Sequence, residues 1–231
     1  MCGIVSVWRK NGSFSQSALY ESLEKLTHRG PDKKNIWLSS RDKVGLGHSR
    51  LSIVGVENGL QPLTNSEHKI HAVVNGEFYD YLTVKSDYEK KGYRFLTDSD
   101  SEIIIPLYLE HGMKLFDKLN GEFAFIIWDE KNEMLFAARD RFGIKPLYYS
   151  ETPDFFAAAS EIKALVPLGV DLKWDEGGLG SIFSGIPLQG KTCFKNIKQI
   201  KPGHFIVLNQ MGLIEKSYWD FNYEIKGNKG F

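Results

Sequence analysis

Apolar residues along this chain fall mostly into short runs of strand length, separated by polar turns. The first run, 3–8, is rich in β-branched residues and gives way to polar side chains at 9–11, which predicts a strand. Leu19, Leu23 and Leu26 then recur at helical spacing, so a helix is expected over 17–26, with Gly30-Pro31 breaking the pattern beyond it. Further strands are expected over 35–39, 43–48 and 69–74. A weaker helical pattern covers 79–91. A stronger one covers 100–111, with Ser99 or Asp100 as N-cap and Gly112 as its stop.

Beyond that point strand patterns dominate. Runs over 122–128 and 134–138 flank the polar turn Asp129-Glu130-Lys131-Asn132, the arrangement of an antiparallel hairpin. Runs over 147–150 and 155–159 form a second such pair. Runs over 204–208 and 212–216, around Asn209-Gln210-Met211, form a third. Hairpins require antiparallel sheets, and the interspersed helices must cover their apolar faces, so an α+β layered fold is expected rather than a doubly wound parallel one. The tail from Asn222 to Phe231 is polar and reads as loosely held.

Composition narrows the function classes. Lys+Arg and Asp+Glu both number 29, so the basic excess of a nucleic-acid partner is missing. The longest apolar runs are strand-sized, too short for a membrane span. The apolar start Cys2-Gly3-Ile4-Val5 has no basic residue before it, the reverse of a signal peptide. Two cysteines, Cys2 and Cys193, are too few for a disulfide-built scaffold, and the expectation is a cytoplasmic protein with reduced thiols. No metal-ligand spacing is visible among the six histidines, so no metal site is expected, and His48 reads as structural or surface. Cys193 reads as a packing residue.

Cys2 is the candidate nucleophile. Removal of Met1 would leave it carrying a thiol and a free α-amine on one residue. With reference pKa values of about 8.5 and 7.8, roughly a seventh of the amine is neutral at pH 7 and can take the thiol proton, directly or through one water. A cysteine at position two can equally be incidental, so its neighbours in the chain decide.

Eight segments occur in order: Met1-Cys2-Gly3-Ile4, His28-Arg29-Gly30-Pro31-Asp32, His48-Ser49-Arg50-Leu51-Ser52-Ile53-Val54, Asn75-Gly76-Glu77-Phe78-Tyr79, Ser99-Asp100-Ser101-Glu102, Gly121-Glu122-Phe123-Ala124-Phe125, the Arg139–Tyr149 stretch, and Ala159-Ser160-Glu161-Ile162-Lys163-Ala164-Leu165. Together they resemble the N-terminal glutaminase domain of glutamine-dependent asparagine synthetase, a class II glutamine amidotransferase, from Met1 to about Trp219. The resemblance implies a four-layer αββα sandwich of two antiparallel sheets, the N-terminal-nucleophile hydrolase fold. It also implies hydrolysis of glutamine to glutamate and ammonia by Cys2.

Each implied role makes chemical sense. Glutamine is a zwitterion, and the resemblance assigns its carboxylate to Arg50, whose planar fork suits the task, and its ammonium to Asp100. It assigns the tetrahedral oxyanion to the Asn75 side-chain amide and the Gly76 peptide N–H. Read without the resemblance, Asn75-Gly76 is equally a plain hairpin turn after the 69–74 strand. Glu77 corresponds to a residue near the substrate amine, and Leu51 and Val54 to positions lining the pocket, though both would also suit an ordinary core. Arg29 is expected to pair with carboxylates or carbonyls close to the nucleophile, and Arg139–Tyr149 to shape a buried corner.

The chain departs from the family pattern at Asp80, where Asn is common, and at Asp98, where Gly is common and an added carboxylate would alter the pocket's charge. The larger departure is length. A glutaminase domain over 2–219 leaves 220–231 as a polar tail or the start of a synthetase domain. ATP and magnesium are expected only on such a domain or subunit. The implied partners are glutamine and that synthetase, with a homodimer left open. A sugar or antibiotic-precursor acceptor, or a non-catalytic glutamine-binding module, are the alternatives.

Overall fold

The computed structural model describes residues 1–186 and 189–222; the expected loose tail lies outside them from position 223 onward. Two antiparallel six-stranded sheets make the frame. In the first, β1 (Gly3–Arg9) runs between β3 (Val44–Arg50) and β9 (Phe155–Ala159). Outside these lie β2 (Lys33–Leu38) on one side and β8 (Tyr148–Glu151) and β10 (Ile197–Gln199) on the other. In the second, β6 (Gly121–Asp129) runs between β5 (Ile70–Phe78) and β7 (Met134–Arg139). Beyond β5 is the short β4 (Leu63–Asn65), and beyond β7 are β11 (His204–Asn209) and β12 (Gly212–Ser217). All three expected hairpins form, as β6–β7, β8–β9 and β11–β12.

Strand alternation sorts side chains into three apolar layers. Ile4, Trp8, Val44 and Leu46 of the first sheet meet Val73, Ala124, Ile126 and Trp128 of the second, forming the layer between the sheets. Val5 and Val7 point the other way, onto Leu19, Leu23 and Leu26 along and just beyond α1 (Gln16–Glu24). Each of those fully buried leucines contributes about 1.5–3 kcal/mol relative to exposure. On the far side, Ala72, Val74, Phe125 and Phe136 pack under α2 (Tyr81–Lys90) and α3 (Ile104–His111). The order is helix, sheet, sheet, helix: the four-layer sandwich that the motifs implied.

Several local expectations are revised. The helix expected over 100–111 opens as a 3-10 turn, Asp100–Ile103, with the Ser99 hydroxyl accepting from Ser101 N. The α-helix proper starts at Ile104, which puts Pro106 in a first turn where its missing N–H costs nothing. A fourth helix, α4 (Glu176–Ser184), is unanticipated because three glycines hide its pattern; Asp175 Oδ1 caps it by accepting from Gly178 N at 2.7 Å. Asn75-Gly76 is not a turn after a strand. β5 runs through it to Phe78, with Asn75 opposite Ala124 and Gly76 opposite Phe123. Gly76 is needed there, since a Cβ would sit 2.7 Å from Glu122 O and 2.8 Å from Phe123 Cβ.

Candidate active site

The same alternation builds the site. Ile4 faces the inter-sheet layer, so Cys2 does too. Val44 and Leu46 face it, so His48 and Arg50 follow on the same side of β3, and Val73 is followed by Asn75 on β5. At this end of the sandwich the apolar rows turn polar, and these residues line one cleft with Asp100 and Gly76.

Cys2 is half-buried. Its Sγ lies 3.6 Å from Leu51 O and accepts from Leu51 N at 3.4 Å, so Leu51 meets the candidate nucleophile through its backbone as well as lining the cleft. Burial pushes the thiol above its ordinary pKa, while the Leu51 N–H, the chain's terminal amine and Arg50 pull it back. The residue's carbonyl is anchored by Arg29, whose Nε donates to Cys2 O at 2.9 Å and whose Nη1 meets Glu161 at 3.0 Å. For Glu161, burial works to raise the pKa, but hydrogen bonds from Arg29, His28 and Lys163 outweigh it and hold the carboxyl at about 2.

The two expected poles differ in what already satisfies them. Arg50 is buried and donates to the carbonyls of Val54, Gly55 and Val56, so it organises the loop above it. Three of its five N–H groups are used in this way. Gly59 packs against it, where a Cβ would lie 2.6 Å from Nη2. Asp100 is buried, accepts from Phe78 N at 3.0 Å, and has the Ser99 and Ser101 hydroxyls at 3.4 Å. Among the described residues no side-chain cation pairs with it. Burial raises its pKa despite those hydrogen bonds.

Asn75 is buried, and its Nδ2 has no hydrogen-bond partner. Such a donor costs about 1–3 kcal/mol to leave unpaired, and of the buried unpartnered side-chain atoms among the described residues it is the one in the cleft that Cys2 lines. The N–H of Gly76 lies beside it. Even-numbered N–H groups of β5 leave on the side away from β6, since Val74 N reaches Gln61 Oε1 and Phe78 N reaches Asp100 Oδ2. Gly76 N, between them, points into the gap beyond the end of β4.

Glu77 is exposed at the cleft mouth, and Val54 lines the wall. Asp98 lies outside, exposed and paired with Lys85 at 3.4 Å and Asn58 at 3.1 Å, so its added charge is met locally. Asp80 accepts from Asn120 at 3.2 Å. The Arg139–Tyr149 stretch forms a buried corner: Arg139 donates to the carbonyls of Lys145, Ile200 and Gly143, and Asp140 accepts from three N–H groups of the turn. Besides His48, which the sequence reads as structural or surface, residues that motif reading did not place in the site include Gln61, Gly59 and Lys145. Lys145 Nζ meets Glu122 at 3.3 Å, opposite Glu77 in the ladder. No spacing in the chain flags these three, because only folding brings them to Cys2.

The model of one family, the glutamine amidotransferase domain, matches residues 1–219. The chain belongs to this family. Among its relatives, "Amidase chry2" of Gibberella zeae is 39% identical over 220 residues, spanning 94% of this chain and 32% of that protein. "Asparagine synthetase [glutamine-hydrolyzing] 1" of Bacillus subtilis is 37% identical, spanning 97% and 36%. This glutamine amidotransferase domain thus spans about one third of the length of these relatives. The fold matches the glutamine phosphoribosylpyrophosphate amidotransferase of B. subtilis, with a TM-score of 0.71 at 22% identity over 94% of this chain and 49% of that one. That likeness bears on the fold alone. No helix among the described residues is long and apolar enough to cross a membrane.

Proposed function

We propose that this domain hydrolyses glutamine to glutamate and ammonia through a thioester on Cys2. Once Met1 is removed, the Cys2 α-amine takes the thiol proton and Sγ attacks the side-chain amide carbon of glutamine. The oxyanion accepts hydrogen bonds from Asn75 Nδ2 and Gly76 N–H. Collapse breaks the carbon–nitrogen bond, the protonated α-amine returns its proton to the leaving nitrogen, and ammonia departs. Water, deprotonated by the same amine, then cleaves the thioester and restores the thiol.

The observation that carries this reading is the buried, unpartnered Asn75 Nδ2 in the cleft that Cys2 lines. The poles support it. Arg50 has N–H groups beyond those held by the loop for a carboxylate, and Asp100 is a buried carboxylate that an α-ammonium would neutralise. Glu77 at the mouth adds negative charge on the ammonium side, and Leu51 and Val54 flank the aliphatic stem.

The ammonia would pass to an ATP-dependent, amide-forming synthetase domain or subunit, where ATP and magnesium would bind. Relatives named asparagine synthetase favour asparagine formation from aspartate. A second reading, delivery to another acceptor, is supported by the amidase relatives of equal similarity. The test is intact mass after treatment with a glutamine-mimicking diazoketone, alongside glutamate release. A single adduct on Cys2 in protein lacking Met1, with both signals lost in Cys2→Ala, is expected. Retained Met1 in active protein, or unchanged turnover in Cys2→Ala, would overturn the mechanism.

A further inference from the structure

We propose that Gln61 is a positioning residue for the oxyanion-binding segment of β5: its side-chain amide replaces one rung of the sheet, so that the ladder stops just before Gly76. The inference rests on the glutaminase reading above.

The register shows where the ladder would have gone. β4 meets β5 as Asn65 with Ile70, Thr64 with His71 and Leu63 with Ala72. Continued in step, Gln61 would face Val74, and Gly59 would face Gly76. A backbone at Gly59 would then consume the Gly76 N–H. The chain does not continue in step. Past Leu63 the backbone turns away to bring Gly59 against the Arg50 guanidinium, with Gly59 N donating to Gly55 O at 2.7 Å.

The Gln61 side chain stays behind. Its Oε1 accepts from Val74 N at 2.6 Å and its Nε2 donates to Val74 O at 3.2 Å, the paired donor and acceptor that a peptide group would offer. A primary amide can do this; a carboxylate cannot, having no donor. The side chain is 4% exposed. His48 braces the same carbonyl from the opposite sheet at 3.2 Å. Burial takes its pKa down to about 3, so the ring is neutral and Nε2 carries the donated proton. Val74 is thereby held on both sides, and Asn75 and Gly76 follow it directly. Downstream, Phe78 N is held by Asp100, the group assigned to the substrate ammonium. The oxyanion donors are strung between two side-chain clamps, one of which senses substrate.

The experiment compares Gln61→Met, which removes both hydrogen bonds at similar volume, with Gln61→Glu, which keeps the acceptor and loses the donor. In the full chain, Gln61→Met lowers kcat for glutamine hydrolysis by about 10- to 100-fold, with KM within about two-fold of the parent because Arg50 and Asp100 are untouched. Gln61→Glu loses less, and its kcat relative to the parent rises as pH falls and the introduced carboxyl regains a proton to donate. Circular dichroism and thermal melting show whether each variant folds. Backbone hydrogen exchange at Val74, faster in Gln61→Met, reads the clamp without any activity. An unchanged kcat in folded Gln61→Met, or a loss confined to KM, would overturn the proposal. If the parent neither releases glutamate nor alkylates at Cys2, the glutaminase reading fails. Exchange at Val74 then decides alone whether Gln61 holds the strand.

Discussion

The two ends of the inter-sheet layer are made from the same strands and the same faces, yet they do opposite things. At one end Trp8 and Trp128 meet edge to face, 5.1 Å between ring centroids, and close the layer with aromatic bulk, although Trp128 Nε1 is itself buried without a partner. At the other, the rows continue as Cys2, His48, Arg50 and Asn75. Packing is exchanged there for buried polar groups, some satisfied (His48 on Val74, Arg50 on the loop carbonyls) and one, Asn75 Nδ2, left open. The apolar end gains stability from each buried ring. The polar end carries an unpaired donor at a cost in stability, the arrangement the proposed oxyanion role of Asn75 requires. The candidate site therefore sits where the alternation of the strands is kept but its chemistry is switched.

Substituting at both ends tests that contrast. Asn75→Leu fills a similar volume with an apolar group. It should cut kcat for glutamine hydrolysis by about 100- to 1000-fold with little change in KM. Its thermal midpoint should not fall, because an unpaired buried donor is removed. A loss of stability without a loss of kcat would contradict the assignment. Trp128→Ala should do the reverse, costing about 3–5 kcal/mol in denaturant unfolding while KM for glutamine stays near the parent value.

Asp100→Asn comes next, with KM for glutamine raised about 10- to 100-fold and kcat less affected. Its pH dependence carries the sign. Burial raises the Asp100 pKa, so in the parent the ionised form needed for the ammonium is lost as pH falls through a pKa higher than that of a free aspartate. KM should climb on that acid limb in the parent and stay flat in Asp100→Asn, as steady-state kinetics across pH would show. The smallest effect is expected at Glu161. Its folded pKa of about 2 lies below the unfolded reference of about 4.3, so its stabilising contribution is complete above that reference and disappears as pH falls toward 2. Glu161→Gln should flatten the acid-unfolding curve in that window and lower kcat only a few-fold by loosening Arg29 on the Cys2 carbonyl, since the neutral amide still accepts.

The hairpins were legible in the sequence because polar turns such as Asp129-Glu130-Lys131-Asn132 sit between apolar strands, a signal carried entirely by neighbours in the chain. Helix α4 was not, since Gly177, Gly178 and Gly180 erase a helical pattern, and what marks the helix in the fold is the Asp175 cap on Gly178 N, with Ile182 and Phe183 exposed. Asn75-Gly76 is the sharpest case. Locally it spells a turn, but β6 pairs with it on through Phe78, and the long strand overrides the dipeptide.

For the site, residue identity alone determined which groups have the right chemistry: a thiol at position two, a guanidinium at Arg50, a carboxylate at Asp100 and an amide at Asn75. Those assignments depend on side-chain type and motif order, which a chain carries before it folds. Only the tertiary structure decided which of them are already satisfied and which are open. Arg50 turns out to be an organiser of its loop, Asn75 an unpaired donor, and Gln61 a stand-in for a missing strand. Hydrogen-bond satisfaction is a property of neighbours brought together across the fold, such as Gln61 with Val74 or Phe78 with Asp100, and no spacing along the chain encodes it.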